Sequence, residues 1–447
     1  MKAFKAYDIR GKYPTDFNAD DVYRIGFYLP ELLGASTVLV GRDIRCSSME
    51  LFNALTKGIT DAGANVDSLG LATTPQVYWV TAKYGYKASV QITASHNAAE
   101  YNGLKVSGEA AKPIGYDDGL QWIENQIIKK PIPAQHKGII NEIDTQPEYL
   151  NFLFKYQTDL SALNITMDLS NGMAGLYARK LFGNRVQYLF EVPDGTFPNH
   201  NPNPLEPENI KDLQYHVIRN NSDVGVIFDG DADRVMFIDE NGNFISPDFM
   251  IALLGHYFLD GKTGVKVLQD IRTSKAVGEY LTPMGAEMHM WRVGRAFAAQ
   301  KLKAIDGLFG GELAGHYYFK DFYYSDSGLL AALILLGIMA KMKKKGITVS
   351  QAIQQISSYY NSGEINFRVS DKQQVMKEVK THFFRIKAPN TFYDFDGYRM
   401  EYDDWWLNIR PSNTEPYLRF LAEAKSQETL NRIVKQVENI CFRYKEE

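Results

Sequence analysis

Cysteine is scarce in this sequence. Its 447 residues contain two, Cys46 and Cys441, which lie in opposite halves of the chain. Two thiols so far apart form neither a disulfide framework nor a zinc-binding pattern, and they are typical of a reducing compartment. Long apolar runs are scarce as well, since the stretch 25–40 is interrupted by Pro30 and Gly34. No run approaches the roughly 20 apolar residues of a membrane span. The sequence thus indicates neither a disulfide-rich secreted domain nor an integral membrane protein.

An excess of charge of one sign is also lacking. The chain has 49 lysines and arginines against 53 aspartates and glutamates, a net charge of −4. This balance predicts no general affinity for nucleic acid or for an anionic membrane surface. Residues 1–8 carry charge too early for an apolar signal segment. We therefore expect a cytoplasmic protein without nucleic-acid or membrane partners. The sequence leaves monomer and homodimer open.

Short β-rich runs alternate with longer helical runs along the chain, which is typical of α/β layers. Apolar residues make up 45% of the chain, and the length alone predicts about three domains. The predicted strands are 36–40, 88–93, 164–169, 224–228, 235–238 and 265–269, and the predicted helices are 51–63, 327–345 and 430–441. New units are expected to start near residues 140, 247 and 362, and the Pro/Asn-rich stretch 193–207 is expected to be a long loop.

An acidic motif, Asp-Gly-Asp-Ala-Asp-Arg at 229–234, directly follows the apolar run 224–228. On an extended backbone alternate residues point to one side, so the three carboxylates are expected to converge and to require a cation. Oxygen ligands of this kind favour Mg²⁺, Mn²⁺ or Ca²⁺. Gly230 is expected to let the backbone bend around the ion, and Arg234 to hold an anion beside it.

Three other interpretations fit parts of this acidic motif. A solvated acidic turn is the plainest. An EF-hand would explain Glu240 at the twelfth position, but the sixth position is Arg234 where that loop needs glycine, and a strand pattern follows. A phosphatase-type aspartate nucleophile at the end of a strand stays open at this point.

Ser95 stands in the sequence Thr-Ala-Ser-His-Asn at 93–97, just after a predicted strand. A serine at such an edge can be an exposed nucleophile. Adjacent side chains diverge, so His96 is poorly placed to deprotonate it, and the Gly-x-Ser-x-Gly elbow is absent. A polar loop is the alternative. Lys105 follows closely enough to reach back.

A glycine-rich heptapeptide at 310–316 contains Glu312 and His316. The carboxylate could bind two sugar hydroxyls, and the imidazole could move a proton near neutral pH. A surface turn is the alternative interpretation.

Arg410 and Arg419 flank a hydroxyl-rich turn between two strand-like runs, 405–409 and 417–421. Guanidinium groups, hydroxyls and backbone N–H groups together can cradle a phosphate. A polar hairpin turn is the alternative, but it does not explain why two arginines bracket the hydroxyls.

Together these motifs resemble the α-D-phosphohexomutase superfamily, most closely its phosphomannomutase/phosphoglucomutase branch. Five motifs occur in the same order: Tyr-Asp-Ile-Arg-Gly at 7–11, Thr-Ala-Ser-His-Asn at 93–97, Asp-Gly-Asp-Ala-Asp-Arg at 229–234, Gly-Glu-Leu-Ala-Gly-His at 311–316 and Arg-Pro-Ser-Asn-Thr-Glu-Pro at 410–416. The resemblance implies four domains around a central cleft. Three are related α/β domains with mixed sheets, and the last is a TATA-box-binding-protein-like α+β domain. The expected ranges are 1–139, 140–246, 247–361 and 362–447.

The resemblance also implies an isomerase. The expected reaction is Mg²⁺-dependent intramolecular phosphoryl transfer between hexose 1-phosphate and hexose 6-phosphate, with mannose or glucose as the sugar. Ser95 would carry the phosphoryl group, and a bisphosphorylated hexose would be both intermediate and activator. Asp229, Asp231 and Asp233, with the phosphate on Ser95, would hold one Mg²⁺.

Further roles are implied residue by residue. The catalytic residues implied are Ser95, His96, Arg10, Lys105, Arg234 and His316. The substrate-binding residues implied are Tyr7, Arg272, Arg295, Glu312, Ala314, His316, Arg410, Ser412, Asn413, Thr414 and Arg419. The general base would be Lys105, if neighbouring cations lower its pKa, or His316.

Departures from the family pattern keep other functions open. Ala98 and Ala232 replace a usual proline and glycine, Ala314 a frequent serine, and Arg295 a histidine. Phosphoglucosamine or phosphopentose mutase is the sibling alternative. An aspartyl phosphotransferase or phosphatase using Asp229, and a non-catalytic sugar-phosphate-binding protein, are alternatives of another class.

Overall fold

The computed structural model describes residues 1–356, 359–412 and 416–445. They form four sheets in chain order, of which three are mixed and the last is antiparallel. The predicted α/β class with four units is therefore confirmed. Among the described residues, no helix has the length and apolar character needed to cross a membrane.

The first sheet has six strands in the order β1-β5-β4-β2-β3-β6. Its strands are β1 Ile9–Lys12, β2 Thr37–Arg42, β3 Asn65–Leu71, β4 Ala88–Ile92, β5 Tyr101–Gly108 and β6 Ile140–Glu142, and its helices are α1 Ala19–Leu33, α2 Ser48–Asp61, α3 Thr74–Tyr84 and α4 Gln121–Gln126. β2 runs parallel to β3 and β4, whereas β5 runs antiparallel to β4. The loop after β4 therefore emerges at the same edge as the end of β2.

The second sheet has the order β11-β10-β9-β7-β8. Its strands are β7 Ile165–Asp168, β8 Gln187–Leu189, β9 Val224–Phe228, β10 Val235–Asp239 and β11 Phe244–Ile245, and its helices are α5 Gln146–Phe154, α6 Ala178–Phe182 and α7 Lys211–Arg219. All residues of β9 and β10 are buried, as expected for apolar strands covered on both faces.

The third sheet has the order β13-β12-β14-β15. Its strands are β12 Val265–Asp270, β13 Ala286–Trp291, β14 Phe309–Gly311 and β15 Tyr317–Phe319, and its helices are α8 Pro247–Phe258, α9 Lys275–Leu281, α10 Arg295–Ala304, α11 Gly328–Lys344 and α12 Val349–Ile356. α11 is apolar around its whole circumference for most of its length, so it packs against both the second and third units. Its N-terminus is capped by the Ser327 hydroxyl, which accepts from the Leu330 amide.

The fourth sheet is antiparallel, with the order β16-β21-β20-β19-β18 and β17 paired to β21. Its strands are β16 Tyr360–Asn361, β17 Ile365–Phe367, β18 Thr391–Tyr393, β19 Tyr398–Glu401, β20 Trp405–Pro411 and β21 Leu418–Ala424, and its helices are α13 Lys372–Ile386 and α14 Gln427–Phe442. The apolar stripe predicted for the last helix is buried against this sheet.

The predicted strands and helices match observed elements, with ends that differ by a few residues. The domain ranges stay predictions. β6 follows the expected first boundary yet pairs with β3 of the first sheet. β16 precedes the expected last boundary yet pairs with β21 of the fourth sheet. Short pairing segments at sheet edges carry too little pattern to be assigned from sequence.

Candidate active site

The acidic loop (residues 229–234) joins the antiparallel strands β9 and β10. It is a turn, so the expected extended backbone was wrong. The turn still brings the carboxylates together: one oxygen each from Asp229, Asp231 and Asp233 lie within 4.8 Å of one another. All three residues have 0% exposure. The three carboxylates therefore converge because the chain turns here and the turn is buried.

Gly230 lies in this turn, and it also lies close to a backbone segment of another domain. Its backbone is not at positive φ; instead Ala232 adopts the left-handed conformation, with φ 63°. A Cβ on Gly230 would lie 2.5 Å from the Ser95 carbonyl oxygen. Glycine is needed here because another backbone approaches closely, as happens where loops meet at a site.

Ser95 belongs to the serine loop (residues 93–100), which links β4 to β5. Ser95 has φ 51°, and its amide donates to Thr93 Oγ1 at 2.9 Å. Its hydroxyl donates to Asp229 Oδ2 at 2.8 Å. The loop thus aims the serine hydroxyl at the acidic loop of the neighbouring domain.

His96 lies beside this hydroxyl, with Nδ1 at 3.5 Å from Ser95 Oγ. Burial is the largest cause that lowers the pKa of His96 well below its usual value, and the nearby cations Arg234 and Arg10 lower it further. His96 is therefore a neutral neighbour at the limit of hydrogen-bond distance. The long contact agrees with the expectation that it is poorly placed to deprotonate Ser95.

The acidic loop fits a hard divalent cation. Asp231 Oδ1 and Asp233 Oδ1 are buried, and neither has a hydrogen-bond partner within the described part of the chain. Burial, followed by the charges of Asp233 and Asp231, raises the pKa of Asp229 well above its usual value. Clustered carboxylate oxygens with spare lone pairs are the donor set of Mg²⁺.

Lys105 supplies positive charge to this cluster. Its Nζ donates to Asp231 Oδ2 at 2.6 Å and to Asp233 Oδ2 at 2.5 Å. Burial works to lower the pKa of Lys105, but the two carboxylates outweigh it and raise the pKa. Lys105 was expected to act as a base only if its pKa were lowered. In this arrangement its pKa is raised, so this condition is not met.

His316 is held between two charged side chains. Arg234 Nε donates to its Nε2 at 2.9 Å, and its Nδ1 lies 2.6 Å from Asp326 Oδ2. Because Nε2 accepts, the proton belongs on Nδ1, which donates to Asp326. Although burial raises it, the His316 hydrogen bond and the charge of Arg295 lower the pKa of Asp326 to about 2.

Arg295 also binds this aspartate, with Nε donating to Asp326 Oδ1 at 3.0 Å. Its guanidinium lies 3.5 Å above the Tyr78 ring. Asp326 therefore bridges Arg295, at the start of α10, and His316, which lies beside the acidic loop. The sequence indicated no link between Arg295 and His316. In the structure both bind the carboxylate of Asp326.

Glu312 is 2% exposed. Its Oε1 accepts from the Gly294 amide and the Tyr318 hydroxyl, each at 3.1 Å. Burial raises its pKa. Ala314 is half-buried in the turn between Glu312 and His316. The turn is closed by the Glu312 amide, which donates to the His316 carbonyl at 2.9 Å.

Arg410 is bound to a carboxylate from its own domain. Its Nη2 and Nε donate to Asp396 Oδ1 at 3.0 and 3.2 Å. Asp396 Oδ2 accepts from the Val293 amide of the third domain at 2.8 Å. The Tyr7 hydroxyl of the first domain donates to the Val293 carbonyl at 3.3 Å. Residues of three domains thus meet around Val293.

Arg272 and Arg419 share Glu364. Arg419 Nη1 donates to Glu364 Oε1 at 2.9 Å, and Arg272 Nη1 lies 3.9 Å from Glu364 Oε2. Arg272 also binds Asp270, which accepts from the Leu313 amide. The Ser412 amide donates to the Tyr417 carbonyl at 2.9 Å.

Two predicted substrate-binding residues, Asn413 and Thr414, lie outside the described residues. Arg10 is inside the site: its Nη1 donates to Asn97 Oδ1 at 3.0 Å, on the serine loop.

Several residues at the site were missed from the sequence. These are Arg45, Thr74, Asp326, Glu364 and Asp396, each of which contacts a predicted residue or its loop. Asp326 binds His316, which lies ten positions earlier in the chain, and Glu364 binds Arg419, which lies 55 positions later. Arg45, Thr74 and Asp396 bind partners that lie 50, 157 and 14 positions away in the chain, so no local pattern pairs them.

Comparison with known proteins covers all four domains. Four models of the phosphoglucomutase/phosphomannomutase family match: alpha/beta/alpha domains I, II and III at 1–131, 147–242 and 246–359, and the C-terminal domain at 364–440. A phosphomannomutase of Escherichia coli strain K12 is 34% identical over 441 residues, covering 95% of each chain. One from Methanocaldococcus jannaschii is 34% identical over 451 residues, covering 98% of this chain and 97% of that one.

A solved structure extends the likeness to the whole fold. The crystal structure of a phosphoglucomutase/phosphomannomutase family protein from Burkholderia thailandensis superposes with a TM-score of 0.86 at 27% identity. It covers 98% of this chain and 96% of that chain. Since family models and full-length relatives both match across all four domains, the chain belongs to the phosphoglucomutase/phosphomannomutase family.

Proposed function

We propose that the protein interconverts the 1-phosphate and 6-phosphate of a hexose, mannose or glucose, through a phosphoserine at Ser95 and a bisphosphorylated sugar. The observation that carries this proposal is the contact between Ser95 and Asp229. A buried serine hydroxyl is bonded to one of three buried aspartates, and the other two each keep an oxygen with no hydrogen-bond partner among the described residues. This arrangement suits a phosphoryl carrier beside a cation. The relatives named phosphomannomutase favour the same reaction.

Asp229, Asp231 and Asp233 would hold Mg²⁺ together with an oxygen of the Ser95 phosphate. When bound, Mg²⁺ would neutralise negative charge on the transferring phosphoryl group and favour in-line attack on phosphorus. Lys105 and Arg234 add fixed positive charge at the same place, because both lie within 4 Å of these carboxylates.

In the first transfer, the free hydroxyl of the hexose phosphate attacks the phosphorus on Ser95. The P–O bond to Ser95 Oγ breaks, and a P–O bond to the sugar forms. The hydroxyl proton passes through a base to the departing Ser95 oxygen, which regains its hydroxyl. The candidate bases near the acidic loop are His316 and Lys105. Lys105 can serve only when its ammonium has left Asp231 and Asp233, since these contacts raise its pKa. The second transfer reverses these steps with the other phosphate, which returns to Ser95.

The phosphate that does not react needs a separate binding place. Arg410, Ser412 and Arg419 would bind it, with Glu312 on the sugar hydroxyls. Because one phosphate site serves either end of the sugar, the intermediate must turn over between the two transfers. Guanidinium donors suit this task, since they bind phosphate in a planar, paired geometry.

The test is a panel of mannose, glucose, glucosamine and ribose 1-phosphates, assayed with Mg²⁺ and a trace of bisphosphorylated hexose. We expect the highest kcat/KM for mannose or glucose 1-phosphate and loss of turnover in EDTA. Turnover restricted to glucosamine or ribose 1-phosphate would overturn the substrate class. No turnover of any sugar phosphate would overturn the reaction.

A further inference from the structure

Arg45 lies beneath the serine loop and makes four backbone hydrogen bonds, three to this loop and one to the first residue of β5. Nη2 donates to the carbonyls of Ser95 and Asn97 at 2.9 and 2.6 Å. Nη1 donates to the carbonyls of Ala98 and Tyr101 at 2.7 and 3.0 Å. Both Nη atoms are thus saturated by acceptors that all belong to this loop or to the first residue of β5.

The guanidinium of Arg45 is held in place by Asp43, which belongs to the same domain. Its Nε lies 3.2 Å from Asp43 Oδ2, and Asp43 Oδ1 accepts from the Arg45 amide at 3.0 Å. The Ser48 hydroxyl donates to the same Asp43 oxygen at 2.5 Å. Arg45 is 2% exposed and Asp43 is equally buried, so neither side chain reaches a substrate.

The second domain closes over Arg45 with the Pro/Asn-rich loop 193–207. The Phe197 ring lies 4.9 Å from the guanidinium carbon, and Gly195 forms a backbone bridge to Arg45. Pro202 of the same loop lies against the acidic loop, where a Cβ on Gly230 would come within 3.3 Å of it. One loop of the second domain therefore contacts both Arg45 and the acidic loop.

The Ser95 carbonyl lies between these two parts. On one side it accepts a hydrogen bond from Arg45 Nη2. On the other side lies Gly230, where a Cβ would be only 2.5 Å from this carbonyl oxygen. The position of this carbonyl sets where the Ser95 side chain points. Ser95 is at positive φ, a conformation that a serine keeps only where surrounding contacts impose it.

We propose that Arg45, capped by Phe197, is a positioning residue that holds the serine loop so that the Ser95 oxygen faces the acidic loop. This rests on the proposed function, in which Ser95 carries the phosphoryl group. Arg45 touches backbone carbonyls and none of the reacting atoms, so its substitution should slow transfer and leave substrate binding almost unchanged.

Lysine is not an adequate replacement. It has one ammonium on a flexible stem, whereas the four carbonyls are matched by a rigid planar fork. With fewer donors the loop relaxes, and a displacement on the order of 1 Å at the reacting atom lowers transfer rates by about 100-fold.

The experiment compares Arg45→Lys, Arg45→Gln and Phe197→Leu with Arg42→Lys in the full-length chain. Arg42 lies three residues away, and its side chain donates a long hydrogen bond, 3.4 Å, to the Asp43 carbonyl. With mannose or glucose 1-phosphate and Mg²⁺, we expect kcat to fall about 100-fold in both Arg45 variants and about 3- to 10-fold in Phe197→Leu. KM should change less than about threefold. Arg42→Lys should match the parent.

A kcat within about threefold of the parent in Arg45→Lys would overturn the proposal, and so would a raised KM with unchanged kcat. If Arg45→Gln fails to fold, Arg45→Lys and Phe197→Leu still decide. If the parent turns over no sugar phosphate, the proposed function fails by itself. Amide hydrogen exchange of a peptide spanning 93–101 then decides: faster exchange in Arg45→Lys than in Arg42→Lys supports positioning, and equal exchange overturns it.

Discussion

The Ser95 hydroxyl donates a hydrogen bond of 2.8 Å to Asp229 Oδ2, across 134 positions of the chain. The two residues follow β4 and β9, which belong to different sheets. The contact therefore depends on how the first and second domains pack. The proposed phosphoryl carrier and the proposed cation ligands form one site only in the assembled chain.

The nucleophile can be identified by substitution of Ser95. Ser95→Ala removes the hydroxyl that would carry the phosphoryl group. We therefore expect no phosphate on the purified protein after incubation with a bisphosphorylated hexose. Turnover should fall by at least about 10³-fold, because the covalent route is lost. Intact mass before and after incubation measures the phosphate.

Asp229→Asn is the matched comparison. It keeps the shape and an acceptor for the Ser95 hydroxyl but removes one charge from the cluster. We expect phosphate to remain on Ser95 while kcat falls by about 10²-fold or more, as for loss of a preorganised charge. Phosphate retained in Ser95→Ala but lost in Asp229→Asn would instead identify the aspartate as nucleophile.

The arginine at the end of β20 should act on every substrate alike. Arg410→Ala is expected to raise KM by at least about tenfold for each phosphosugar, because a charge-assisted phosphate contact is worth about 1.5–3 kcal/mol. Initial rates over a range of substrate concentrations measure this. Arg432→Ala, on the exposed face of α14, serves as the control. An effect confined to one sugar would contradict a phosphate site shared by all substrates.

The sequence predicted those parts of the site whose chemistry is contained in a short motif. Asp229, Asp231 and Asp233 are close in the chain, so their convergence required little knowledge of the tertiary fold. The order of the elements followed from the pattern of apolar runs for the same reason. Element ends and short edge strands did not, since pairing with a distant strand determines them.

The contacts that hold the motifs in place were not predictable in this way. Arg45 binds the serine loop from more than 50 positions earlier in the chain, and nothing in its neighbours marks it as different from a surface arginine. Ala232 is at positive φ, although alanine carries no sequence signal for that conformation. Gly230 is required by a backbone from another domain, which a single sequence cannot show.

Lys105 should couple stability to Mg²⁺. Lys105→Met removes the ammonium that contacts Asp231 and Asp233, leaving buried carboxylates without that partner. We expect a loss of about 3–5 kcal/mol in EDTA. Added Mg²⁺ should then raise the melting temperature more in the variant than in the parent, because the cation binds the folded site. Thermal unfolding with and without Mg²⁺ measures both effects.

Lys112→Met is the control for this change. Lys112 is about half exposed and pairs with Asp118 at 3.4 Å, so its loss should cost less than about 1 kcal/mol and leave the Mg²⁺ response as in the parent. Equal Mg²⁺ responses in Lys105→Met and the parent would contradict a cation site at the acidic loop.

Glu423 should make the junction between the third and fourth domains pH-dependent. It is 1% exposed. Its Oε2 accepts from Ser274 Oγ at 2.6 Å and from Trp406 Nε1 at 2.8 Å. Burial, with a smaller effect from Asp248, raises its pKa above the usual 4.5. The folded state therefore favours the protonated carboxyl of Glu423. The stabilisation that this carboxyl provides is fully present below about pH 4.5 and is lost as the pH rises through its folded-state pKa.

Glu423→Gln keeps a carbonyl acceptor for Ser274 and Trp406 but cannot ionise. In the parent, the Asn361 amide donates to Glu423. In the variant this amide faces another amide group, which lowers the free energy of unfolding by the same amount at every pH. The difference in unfolding free energy, variant minus parent, should therefore increase between about pH 4 and pH 8. Urea unfolding at both values measures it, with Glu438→Gln on the exposed face of α14 as control. A difference that stays constant with pH would mean that folding does not shift the pKa of Glu423, and a difference that decreases would mean that this junction stabilises its charged form.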